Sequence, residues 1–159
     1  MLGLRGERVP GPVSTERETI AARAYPAADQ TIATATLTTV TLGTEDYDIG
    51  SNFATNTFTA PIAGYYLVTG RVHYAAAADN KRYWAVAYKN GTTRIAEGIA
   101  NGQATAEDAF PCFADIVKLA VGDTLVLATY HDQGTNSDIN NGGDTDEAQT
   151  ALAVHLLSI

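Results

Sequence analysis

The chain has 159 residues, 45% of them hydrophobic, with ten basic and eighteen acidic side chains and a net charge of −8. A domain of this size buries roughly two-thirds of its unfolded surface without covalent staples, and the single cysteine excludes an intrachain disulfide framework. The acidic balance argues against binding nucleic acid or docking on an anionic membrane, both of which draw on Lys and Arg, and no run approaches the ~18 apolar residues of a membrane-spanning helix.

Residues 1–29 read as an N-terminal arm. Four of the ten basic residues lie in it, Arg5, Arg8, Arg17 and Arg23, balanced by Glu7, Glu16, Glu18 and Asp29. Gly3 and Gly6 have a collagen-like spacing, but Val9 and Gly11 break it, and two triplets cannot make a triple helix. An irregular, extended Gly/Pro segment is the expectation there. Thr15 followed by Glu18 fits a capping box and Pro26 is a stop, which predicts a short helix over 15–24. Alone such a helix is marginal, so it would order on a partner surface. No apolar segment follows the first charges, so no signal peptide is expected.

From Gln30 onward the pattern is that of strands. "TIATATLTTVTL" alternates Thr and Ala with β-branched residues, and "RYWAVAYKNGTTRIAEGIA" holds a hairpin with Asn90-Gly91 at its turn. "DAFPCFADIVKLAVGDTLVLATYH" holds two strands joined around Gly122-Asp123, and "TALAVHLLSI" closes the chain. Cys112, between aromatic residues, reads as a small buried hydrophobe. Short strands at regular turn spacing, with no helical pattern between them, predict an all-β sandwich over residues 30–159.

The stretch "FTAPIAGYYLV" carries the most information. Pro61 cannot donate to a ladder, so the strand containing Phe58 ends there or lies at an edge. Gly64 is expected to supply the positive φ of a tight corner. The chain then crosses to the other sheet as a long strand. Tyr66, Val68, Gly70, Val72 and Tyr74 share one face, and Tyr65, Leu67, Thr69, Arg71 and His73 the other. The second face is too apolar for plain solvent surface and predicts contact with another subunit. Ala151, Ala153 and His155 alternate with the core candidates Leu152, Val154 and Leu156, and small outward residues let a neighbour approach closely. Tyr83 and Trp84 fit either the seam between subunits or the core.

The pattern "YDIGSNFATNTFTAPIAGYYLVTGRV" resembles the core motif of the complement globular-head domains, within the tumour-necrosis-factor-like superfamily. "VAYKNGTTR", "FADIVKLAVGDTLVLATY" and "ALAVHLLSI" are similar to further family segments, in the same order. The closing strand departs from the family's Phe-x-Gly-Phe-like pattern, and no collagen stalk precedes the head. The resemblance covers roughly 45–159. It implies a ten-stranded antiparallel jelly roll that assembles as a homotrimer, with Tyr65, Leu67, Thr69, Arg71, His73, Ala151, Ala153 and His155 at the interface.

Signals for chemistry are sparse. His73, His131 and His155 have no metal-ligand spacing, and no nucleophile elbow or P-loop is present. A catalytic pairing of Cys112 with His131 has no local signature, and no enzyme is expected. The acidic loop offers oxygen ligands, with Asp138, Asp144 and Asp146 as weak calcium candidates, but position twelve from Asp138 is Gln149 rather than the Glu of an EF-hand. No other cofactor is expected. Two roles fit. One is a structural virion protein, a capsid decoration or fibre trimer made in the host cytoplasm. Its arm arginines would dock on a capsid or tail protein. The other is an adhesion module that holds a host-surface glycan or protein on loops 76–82 and 131–147.

Overall fold

The computed structural model describes residues 20–105, 107–140 and 150–159, and among them every regular element is a strand. In chain order these are β1 (Ala21–Tyr25), β2 (Gln30–Ile32), β3 (Thr38–Thr39), β4 (Thr44–Ile49), β5 (Phe53–Ala54), β6 (Thr57–Thr59) and β7 (Gly64–Arg71). There follow β8 (Arg82–Lys89), β9 (Thr93–Asn101), β10 (Cys112–Leu119), β11 (Thr124–His131), β12 (Ser137–Ile139) and β13 (Ala151–Ser158). One sheet has the order β10-β7-β13-β1-β4. The facing sheet has the order β5-β6-β11-β8-β9, with β3 also paired to β11, and β12 and β2 form a small third ladder. All pairings between strands are antiparallel. The result is a jelly-roll sandwich. Several of its strands are only two or three residues long, so the description comes to thirteen pieces.

The Pro61–Gly64 corner does what the sequence implies: β6 lies in one sheet and β7 in the other. Phe58 and Tyr66, both fully buried, meet edge-on across the core at 5.8 Å. The Tyr66 hydroxyl donates to the Ile62 carbonyl at 2.7 Å and so pins the corner. Gly64 serves a different purpose from the one expected. Its φ is not positive; a Cβ there would lie 2.5 Å from the Ser158 carbonyl oxygen and 2.8 Å from Leu156 Cδ1. The glycine lets β13 close against β7. The two turn glycines behave as predicted, with φ of 53° and 68° at Asn90 and Gly91 and 83° at Gly122.

Two readings are corrected. Residues 15–19 lie outside the described residues, but 21–24 of the predicted helix belong to strand β1 (Ala21–Tyr25), between β13 and β4. Alanine-rich sequence favours helix locally; two ladders and the burial of Ala22 and Ala24 outweigh that preference. The folded domain therefore begins upstream of Gln30. Cys112, expected inside, is exposed. Phe113 takes the inward position on β10, so strand alternation turns its neighbour outward.

One end of the core is polar and aromatic. Tyr74 is fully buried, its hydroxyl 2.7 Å from that of Thr129, and burial raises its pKa. Its ring packs on Tyr83 at 4.8 Å and on His131 at 5.5 Å. His131 Nε2 donates to the Ile32 carbonyl at 3.1 Å, and Nδ1 accepts from the Gln133 N–H at 3.3 Å, which fixes the tautomer. Tyr83, left open between seam and core, is core.

Candidate functional site

The outward face of the five-stranded sheet is mostly apolar, with a few polar and charged residues, among them Arg23, Arg71 and His155. Register sets its rows. Ile116 lies opposite Leu67, Leu67 opposite His155, His155 opposite Ala21, and Ala21 opposite Ile49. The next row runs Ala114, Thr69, Ala153, Arg23, Tyr47. Alternation on β7 and β13 sends Tyr66, Val68, Leu152, Val154 and Leu156 into the core and leaves this set outside. Ile116 is 56% exposed, Tyr65 46% and Ile49 44%. The short side chains of Thr69 and Ala153 leave an open depression of about 280 Å³ between Tyr47, Leu67 and His155. Large apolar rims around a floor of small residues form a surface that another side chain can enter.

Of the eight expected interface residues, Tyr65, Leu67, Thr69, Arg71, Ala153 and His155 share this face, with Ala151 buried at its end. His73 does not belong to the open face. Its side chain is nearly enclosed by the chain itself, with Nε2 2.8 Å from Asp108 Oδ2 and the ring stacked on Phe110 at 4.5 Å. The hydrogen bond from His73 holds the Asp108 carboxyl below the usual carboxylate range. The strand proper ends at Arg71, and the chain beyond it folds under residues 108–110.

The structure adds residues that sequence alone did not bring to this face: Ile116 and Ala114 from β10, Tyr47 and Ile49 from β4, and Ala21 from β1. Alternation of Phe113, Val117 and Leu119 gives the parity of β10, which is the signal that could have placed Ile116 outward. For β4 and β1 no local signal existed, because their neighbours come from distant segments.

The remaining candidates are dispersed. Arg23 forms an ion pair with Asp46 on the same sheet, so it belongs to the domain rather than to a separate arm. Arg5, Arg8 and Arg17 lie outside the described residues. Asp138 accepts from the Thr31 hydroxyl at 2.6 Å within the small third ladder; Asp144 and Asp146 lie outside the described residues. Among the described residues no group of three His, Cys, Asp or Glu side chains could hold a metal ion. Cys112 and His131 stand in different sheets, one exposed and one fully buried. Loop 76–82 is tied down: the Ala78 N–H donates to the Tyr83 hydroxyl at 2.7 Å and the Ala77 N–H to the Glu107 carbonyl at 2.9 Å. Trp84, half-buried on the far sheet, packs edge-on against Tyr130.

No family model matches the chain, and no curated protein matches it. Solved structures do. The globular domain of zebrafish complement 1qA protein superposes with a TM-score of 0.63 at 11% identity, over 87% of this chain and 97% of that one. Eiger TNF from S. frugiperda gives 0.61 at 13% identity, over 87% and 92%. Murine APRIL at pH 5.0 gives 0.60 at 13% identity, over 86% and 98%. At these identities the likeness establishes the fold, a jelly roll of the kind shared by complement globular heads and tumour-necrosis-factor-like proteins.

Proposed function

We propose that the chain is a non-enzymatic display module that assembles as a homotrimer through the outward face of its five-stranded sheet, and that it serves as a structural component of a virion. The observation that carries the assembly is the apolar face itself. Tyr65, Leu67, Ile116, Tyr47 and Ile49 converge from three strands, and a second copy of the chain would cover them with chemistry of the same kind. Three copies rather than two follow from the likeness to complement-head and tumour-necrosis-factor-like folds. The non-enzymatic reading is supported by the same neighbours and by the separation of Cys112 from His131.

The virion role rests on sequence. Arg5, Arg8 and Arg17 lie among acids in a segment whose composition differs from that of the head, and they would pair with acidic patches on a capsid or tail protein. The head's net negative charge keeps closely spaced copies mutually repelling. Calcium at Asp138, Asp144 and Asp146 would be an accessory to that assembly rather than a centre of chemistry.

Light scattering of the full chain tests the assembly. The expected mass is three times 16.7 kDa, and Leu67→Arg with Ile116→Lys shifts it to a single chain while leaving the strand spectrum intact. A monomeric parent, or a trimer indifferent to both changes, overturns the reading.

A further inference from the structure

The opposite sheet carries an open groove of about 350 Å³, within the range of small-molecule sites. Its walls follow from register. Trp84 on β8 lies opposite Tyr130 on β11, and the two rings meet edge-on at 4.8 Å and 78°. Two residues along β8, the buried Val86 makes the floor. Tyr88, opposite Arg94, makes the far wall. Each end carries a guanidinium already held by a carboxylate. Arg82 Nε donates to Asp132 Oδ2 at 3.0 Å, with Arg82 Cζ 5.0 Å from the centroid of the Trp84 ring. Arg94 Nη1 donates to Glu97 Oε2 at 2.6 Å, and both arginine side chains are more than half exposed.

We propose that this groove binds a neutral saccharide, with a pyranose ring packed against one face of the edge-on Trp84–Tyr130 pair and its hydroxyls held by the two arginine–carboxylate pairs. The match is chemical. A sugar presents a C–H face that packs on an aromatic ring and a rim of hydroxyls that each donate and accept. An ion pair offers guanidinium N–H donors beside carboxylate acceptors in a fixed geometry, which suits adjacent hydroxyls. A polyanion fits less well, because both cations are already neutralised and the chain carries a net charge of −8. A protein partner would need a far broader patch, about 800 Å² on each side. The site differs from the loops expected from sequence: it sits on rigid strands, where partly exposed aromatic side chains already stand in register. It does not rest on the proposed assembly, since the groove is complete within one chain; threefold presentation would add avidity.

Trp84 is the only tryptophan of the chain, so its fluorescence reports on the groove directly. The full chain is titrated with glucose, galactose, N-acetylglucosamine, lactose, maltose and chitobiose. The expected result is a saturable change in Trp84 emission with at least one of them. Arg94→Ala and Tyr130→Ala should weaken it at least about tenfold, the equivalent of one good contact. Arg94 is exposed, so its variant should melt like the parent and separates lost binding from lost folding. Calorimetry repeats the titration on Trp84→Ala, where binding should be lost. The proposal is overturned by no response to any sugar of the panel, by binding that both variants leave within twofold, or by binding confined to a sulfated disaccharide probe and abolished by salt.

Discussion

Placing a charge at Ala24 distinguishes an N-terminal arm from a strand of the core. Ala24 is fully buried on β1, between β13 and β4, whereas Ala28, four residues on, is exposed beyond the strand. In Ala24→Asp a carboxylate enters the core with no cation facing it; its cross-strand partners Leu152 and Glu45 offer none. An uncompensated buried charge costs about 3–5 kcal/mol, against a total stability of about 5–15 kcal/mol for a domain. At about 2–4 °C per kcal/mol for chains of this length, the melting temperature should fall by roughly 6–20 °C. Ala28→Asp places the same charge in the same segment and should stay within about 0.5 kcal/mol of the parent. Thermal melts followed by far-ultraviolet circular dichroism, with urea titrations alongside, measure both. The reasoning is refuted if Ala24→Asp melts within about 2 °C of the parent, because β1 would then be no part of the cooperative unit. The same logic predicts that a chain starting at Gln30 aggregates, since it opens the edges of both β13 and β4.

At Gly98 an added Cβ would overlap the backbone of Cys112, which cannot swing aside, so Gly98→Ala should cost about 3 kcal/mol or more in urea unfolding. Gly91→Ala meets open space and only the strain of a φ of 68°, and should cost about 1–2 kcal/mol; equal losses at the two sites would refute the packing argument. Tyr66→Phe keeps the buried ring but removes the bond to the Ile62 carbonyl, for an expected loss of about 0.5–1.5 kcal/mol by the same assay. Asp108, Asp123 and Asp132 all titrate below the usual carboxylate range. His73 holds Asp108 there; the Asn90 side chain and the Ala120 N–H hold Asp123; at Asp132 burial pushes upward but bonds from the Arg82 backbone and guanidinium outweigh it. Depressed folded values mean that the unfolded chain binds more protons in acid, so this stabilisation is present above about pH 4 and is lost as pH falls through the folded values. Urea midpoints should therefore drop between pH 5 and pH 3, and Asp132→Asn should flatten that drop; a midpoint that holds or rises contradicts the linkage.

What the sequence made legible was local. The Asn90-Gly91 turn, the Gly122 turn and the parity of β7 each depend on neighbours within a few residues, and each appears as read. What it hid was decided at a distance. "AARAY" carries a helix former's composition, and only the strands on either side of it, from residues 44–49 and 151–158, make it a strand. The aromatic neighbours of Cys112 suggested burial, but Phe113 alone takes the inward place. Gly64 was legible as a necessary glycine and not as to why, because the Ser158 carbonyl it admits lies more than ninety residues away. The candidate face shows the same division. Its β7 and β13 residues, and Ile116 on β10, could be read from alternation, whereas Tyr47 and Ile49 join it only through register.

The two sheets turn opposite chemistries outward. The five-stranded sheet presents Leu67, Ile116, Tyr65 and Ile49 with Ala153 and Thr69 between them, large rims around small floors, and only a few charges among them. Such a face loses little polar hydration when covered, and covering it recovers about 25 cal/mol per Å² of apolar surface. The six-stranded sheet presents Trp84, Tyr88 and Tyr130 between two arginine–carboxylate pairs, a surface whose ions are dear to desolvate against a large apolar partner. A second copy of the chain therefore gains most on the first face and least on the second. Assembly through the first leaves the second outermost, where a small hydroxylated ligand can reach it without displacing a subunit. The proposed association and the proposed saccharide site fall on different sheets, so a change that breaks one, such as Ile116→Lys, should leave the saccharide-induced change in Trp84 emission within twofold of the parent.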